Sequence, residues 1–110
     1  MATDPLSRVF SALADPTRRD LVARLAVGDA SVNELAEPYD VSLQAVSKHL
    51  KVLEDAGLIS RGRDGQLRPS RLRGEPLKEA VTWLESYRNF WERGFDRMDT
   101  RLRVGNAHRG

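Results

Sequence analysis

The sequence predicts a mainly α-helical fold carrying one small β-hairpin, and three observations predict it. Aspartate–proline pairs and a capping box mark the starts of several helices. Apolar residues recur at spacings of three and four behind those starts. One Asp-Gly dipeptide, Asp64-Gly65, separates two short arginine-rich runs. The 110 residues suit one domain, read here as residues 1–104 with a patternless tail at 105–110 expected to be disordered. No cysteine is present, which excludes a disulfide scaffold, a thiol nucleophile and any thiolate metal site. No apolar run reaches the roughly 20 residues of a membrane span. The opening MATDPLSRVF lacks the basic and apolar regions of a leader, so a cytoplasmic location is expected. The net charge is only +2, yet 15 of the 18 basic residues are arginine, the side chain best shaped for phosphate and base edges.

The elements follow in order. Asp4-Pro5 and Asp15-Pro16 each place an N-cap acceptor before a proline whose missing N–H is harmless at a helix start. They open helices over about 6–14 and 17–27, the second stopped by Gly28. Ser31-Val-Asn-Glu34 is a capping box that starts a third helix at Val32, and Pro38 ends it after about two turns. Ser42 caps a fourth helix reaching Ala56, with Gly57 as a left-handed terminator. The period then changes: 58–63 and 66–72 read as strands, and Pro69 predicts that the returning strand lies on an edge. From 76 to 102, Leu77, Val81, Leu84, Tyr87, Trp91, Phe95, Met98 and Leu102 describe one long helix of about 40 Å.

Residues 31–56 have the pattern of a helix-turn-helix. Val32, Leu35 and Ala36 face inward from the first helix, and Pro38-Tyr-Asp-Val41 forces the next to cross it steeply. In the second helix Leu43, Val46, Leu50 and Leu53 form the predicted buried stripe. That leaves Gln44, Ser47, Lys48 and Lys51 on the opposite face, with Ser42 at its edge, groups that read base edges and neutralise phosphate. The following ribbon, 59–73, holds Arg61, Arg63, Arg68, Arg71 and Arg73 against Asp64 alone. Such a ribbon can track a phosphate backbone or place an arginine in the minor groove. The two parts together predict a winged helix-turn-helix.

Leu13-Ala-Asp-Pro-Thr-Arg-Arg19 and the run from Val41 to Leu58, above all Val46-Ser-Lys-His-Leu50 through Ala56-Gly-Leu58, resemble the ArsR (arsenic-repressor) family of bacterial winged-helix regulators. The resemblance covers about residues 6–98 and implies a homodimeric repressor that binds a palindromic operator. It carries DNA contact onto Ser42, Gln44, Ser47 and Lys48 of the recognition helix (about 42–56) and onto Arg63 and Arg68 of the wing; Lys51 and Arg61 extend the set by charge. His49 fits the motif but falls beside the buried stripe, which predicts a structural hydrogen bond. The family's cysteine-bearing sensor helix corresponds here to Val32-Asn-Glu-Leu-Ala-Glu37, without a thiolate. The last helix has no histidine either, and Glu92, Asp96 and Asp99 are interleaved with arginines, so neither a metal nor another cofactor is expected.

The last helix also carries five of the seven aromatic residues, Trp83, Tyr87, Phe90, Trp91 and Phe95. Exposing them would create a large apolar patch. With Leu6 and Phe10 of the first helix they are the predicted two-fold interface, spacing the recognition helices about 34 Å apart. The same aromatics admit a second reading, a pocket for a small hydrophobic effector. No hydrolase, zinc-protease, phosphate-loop or dinucleotide fingerprint is present, so no enzyme is expected. The remaining alternative is a winged helix that serves as a protein-interaction or dimerisation module without operator binding.

Overall fold

The computed structural model describes residues 4–62 and 69–94. Its elements are α1 (Pro5–Leu13), α2 (Pro16–Val27), β1 (Ala30–Ser31), α3 (Val32–Ala36), α4 (Leu43–Asp55), β2 (Ile59–Arg61), β3 (Pro69–Leu72) and α5 (Gly74–Glu85). A further helical stretch covers 88–94. This is the mainly helical fold with a small sheet that the sequence predicts. The chain forms two compact units, one up to Ala80 and one from Val81.

The first unit is organised by its caps. The Asp4, Asp15, Ser31 and Ser42 side chains each accept a backbone N–H three residues on, at 2.9, 3.0, 3.2 and 3.1 Å. Ser31 and Glu34 complete the capping box, since Glu34 also accepts from the Ser31 N–H. Gly57 adopts a φ of 78°, as its role as terminator requires. Its N–H reaches the Glu54 carbonyl and that of Leu58 reaches the Leu53 carbonyl, the paired closure of a Schellman motif. α2 ends at Val27 as expected, but Gly28 is extended rather than left-handed.

Leu21, Leu25, Leu35, Val46, Leu50, Leu53, Leu58 and Ile59 make a core from which solvent is almost wholly excluded. Burial of each such side chain contributes about 1.5–3 kcal/mol, and together they bind α2, α3, α4 and β2 into one body. Leu43, the first residue of α4, does not join them: it is 51% exposed.

The sheet differs from the predicted hairpin. It has three antiparallel strands in the order β1-β3-β2, so β3 is central and not an edge. Pro69 is tolerated because it opens the strand, where a missing N–H is least disruptive, while its carbonyl accepts from Gly62 at 2.9 Å. Gly62 permits this approach: a Cβ there would meet Pro69 Cδ at 2.9 Å. The Asp64-Gly65 turn, Arg63 and Arg68 lie outside the described residues.

The single long helix over 76–102 is also revised. α5 ends at Glu85, and residues 86–87 form a turn before helix resumes at 88. The Ser86 hydroxyl donates to the Trp83 carbonyl, and the Tyr87 N–H reaches Leu84 rather than Trp83. A serine that bonds back to the preceding turn competes with the helical ladder, which tightens to three-residue spacing at this point. Phe95 and the predicted tail lie outside the described residues, and no helix among those described is long and apolar enough to cross a membrane.

Candidate nucleic-acid interface

Two arginines of α2 hold the helix-turn-helix in place. Arg24 donates to the carbonyls of Leu35 and Glu34 at 2.7 and 3.0 Å, satisfying oxygens that the end of a short helix leaves unpaired. The same guanidinium lies 5.6 Å from the centre of the Tyr39 ring, and the Tyr39 hydroxyl donates to Asp20. Burial, seconded by that carboxylate, raises the pKa of the Tyr39 phenol. The connection between α3 and α4 is therefore fastened to α2 at both backbone and side chain.

Arg18 does the same for α4. Its Nε donates to the Ala12 carbonyl at 2.6 Å and its Nη2 to that of Ser11 at 3.2 Å, closing the end of α1. Its Nη1 lies 3.5 Å from His49 Nδ1, which is itself 3.8 Å from Asp15 Oδ2. The backbone N–H of Arg18 lowers the Asp15 pKa, helped by the nearby His49 and the Arg18 charge. His49 thus sits at a junction of α1, α2 and α4, the structural position expected of it. The run Leu13–Arg19 has a physical purpose: Asp15 caps α2, while Arg18 and Arg19 turn back onto the carbonyls that end α1.

Held in this way, α4 buries Val46, Leu50 and Leu53 and turns Gln44 and Lys48 fully outward, with Ser47 half-buried beside them. Neither Gln44 nor Lys48 has a hydrogen-bond or ion-pair partner among the described residues. Ser42 is exposed too, but its oxygen is engaged as the N-cap, which leaves its O–H proton to donate outward. Lys51 differs from expectation. It lies 3.2 Å from Asp55 and 3.9 Å from Glu54, so its charge is offset within its own helix. The i,i+4 spacing from Lys51 to Asp55 was the signal for this pairing. The uncompensated cation of α4 therefore stands in its N-terminal half.

In the wing, Arg61 and Ser70 face each other across β2 and β3 on the side of the sheet shared with buried Ile59. Arg61 Nε is shielded from solvent and, with Ser70 Oγ, lacks a hydrogen-bond partner among the described residues. Arg61 is thus a half-buried wing residue rather than a free surface cation. Arg71 is on the opposite side, exposed and 3.0 Å from Asp29. That pair, which spacing along the chain gave no means of finding, ties the segment before β1 to the wing strand.

The predicted interface residues divide into two kinds. Leu6 and Phe10 are half-buried against the core of the first unit. Trp83, Tyr87 and Phe90, in the second unit, are 45, 48 and 80% exposed, and Trp91 is half-buried. The Trp83 and Tyr87 rings meet edge-on with centroids 5.2 Å apart. An open groove of about 510 Å³ lies between α1 and the C-terminal half of α4, lined by Arg8, Ser11, Ala12, Val52, Asp55 and Ala56.

Comparison with known proteins is consistent with this geometry. A helix-turn-helix domain family matches residues 13–61. The transcriptional repressor SdpR of Bacillus subtilis is 33% identical over 76% of this chain and 93% of its own length. The crystal structure of an ArsR family transcriptional regulator, RHA00566, superimposes with a TM-score of 0.75 at 40% identity, covering 81% of this chain and 98% of that one. The solution structure of a homodimeric winged helix-turn-helix DNA-binding domain, Mb0332 of Mycobacterium bovis, superimposes with a TM-score of 0.63 at 27% identity over 78% of this chain and 80% of that one.

Proposed function

The chain belongs to the ArsR family of winged helix-turn-helix transcriptional regulators, and we propose that it acts as a homodimeric repressor reading a palindromic operator in the cytoplasm. The observation that carries this reading is the outward face of α4. Gln44, Ser47 and Lys48 stand on a helix whose other side buries Val46, Leu50 and Leu53, near the end that recognition helices insert into the major groove. Gln44 can pair with adenine through two hydrogen bonds, Ser47 can serve a base or a phosphate, and Lys48 neutralises phosphate. Ser42 donates to the backbone beside them. Arg63 and Arg68 reach the backbone or minor groove from the wing, and Arg61 supports that ribbon from its inner side.

Dimerisation through Trp83, Tyr87, Phe90, Trp91 and Phe95 is supported by the exposure of the first three and by the homodimeric state of the Mycobacterium bovis domain. Two copies related by a two-fold axis convert one weak half-site contact into recognition of a palindrome.

The test is selection of bound sequences from random double-stranded DNA, followed by affinity measured against salt. Expected are a palindrome with half-sites about 10 base pairs apart and an affinity that falls steeply as salt rises. Ser47→Ala with Lys48→Ala should reduce preference for the selected site, while Arg68→Ala weakens all sequences more evenly. Failure to bind any duplex at low salt would favour the alternative, a winged helix used only for protein interaction.

A further inference from the structure

Leu43 and Val41 are each 51% exposed at the leading end of α4, and neither is among the buried and half-buried residues that make up the hydrophobic cluster of the first unit. Val41 precedes the N-cap Ser42, a position where an apolar residue commonly staples onto the fourth helical residue. Leu43 is the first helical residue and has no such duty. One exposed leucine is ordinary on a protein surface; the setting of this one is not. It stands one turn before Ser47, so the two are neighbours on the helix surface, and Gln44 and Lys48 lie alongside. A branched apolar group is thus set among a base-pairing amide, a hydroxyl and a free ammonium. The major groove offers the matching surface, because it presents hydrogen-bonding base edges, flanking phosphates and one apolar group, the C5-methyl of thymine.

We propose that Leu43 is a specificity-determining residue that packs against the C5-methyl of a thymine in each operator half-site. The proposal rests on the DNA-binding reading above and adds a position to it that hydrogen-bonding chemistry does not reach. Deletion of that methyl from the DNA is the direct probe. The operator selected by the full chain is resynthesised with deoxyuridine in place of each thymine in turn, which removes the methyl and preserves base pairing.

For the wild-type chain, one such replacement in a single half-site is expected to weaken binding about fourfold, and the same replacement in both half-sites about fifteenfold, the effect of withdrawing one buried methyl from each contact. Leu43→Ala should bind the thymine operator about as weakly as wild type binds the deoxyuridine one, and should no longer distinguish the two. Alanine is the best helix former, so the variant keeps its thermal unfolding midpoint. Equal wild-type affinity for both duplexes, with binding still steep in salt, overturns the methyl contact and leaves the DNA-binding reading standing. Continued discrimination by Leu43→Ala assigns the methyl to another residue and overturns the proposal as well. Absence of binding to either duplex at low salt removes both readings together.

Discussion

The two units of this chain bury their apolar residues to very different extents. The first closes a core around Leu21, Leu35, Leu50 and Leu53, all with essentially no exposure, caps the starts of α1 to α4, and ties the ends of α1 and α3 to arginines of α2. The second has no buried residue among those described, and it shows Val81, Trp83, Leu84, Tyr87 and Phe90 to solvent. The first therefore encloses its own apolar core, with Ser70 the one polar side chain buried among the described residues. The second has the composition of a core without the layer that would complete one, which is how a protein–protein interface looks from one side.

That contrast predicts where substitutions will act. The largest effect is expected from Leu50→Ala, which opens a cavity in the first unit and should lower stability by about 2–5 kcal/mol in urea denaturation. Arg18→Ala removes charged hydrogen bonds to two carbonyls and should lower it by about 1.5–3 kcal/mol by the same measurement. Phe90→Ala should behave in the opposite manner. It should leave the unfolding midpoint of the dilute protein unchanged while raising the dimer dissociation constant about tenfold in sedimentation equilibrium. An unfolding midpoint that falls with Phe90→Ala at high dilution would break the comparison, since the second unit would then contribute to the first.

The smallest effect concerns acid. Asp4, Asp15 and Glu34 are held below their ordinary values, each chiefly by the backbone N–H it caps. A carboxylate whose pKa is lower in the folded chain stabilises it above the unfolded value, 3.8 for aspartate and 4.5 for glutamate, and that contribution is lost as pH falls through the folded value. The urea midpoint should therefore decline from about pH 4.5 downward, and Asp15→Asn should make the decline shallower. All three groups lie in the first unit; in the second, the Arg88 guanidinium holds Glu85 below its ordinary value as well, so acid weakens local pairing in both units.

Much of this was legible in the sequence where the signal was local. Each N-cap was readable because the acceptor and its N–H donor are three residues apart, and Gly57 because only a left-handed residue closes that turn. The face of α4 that carries Gln44, Ser47 and Lys48 followed from the helical period. What periodicity does not encode is where the covering layer stops: the period places Leu43 in the buried stripe, yet half of it is exposed. β1 has two residues and no period, and it was β1 that moved β3 from edge to centre. The break at Ser86 depends on one hydroxyl choosing a carbonyl three residues back, which apolar spacing does not record. Arg71 and Asp29 are 42 residues apart, a separation that only the folded chain closes.

The Arg18 junction carries a mechanical consequence. One guanidinium, carried by α2, grips the last carbonyls of α1 and lies against His49 of α4, so three helices meet on a single charged group. The placement of α4 is thus shared with the two helices before it, because one side chain of α2 meets the end of α1 on one side and α4 on the other.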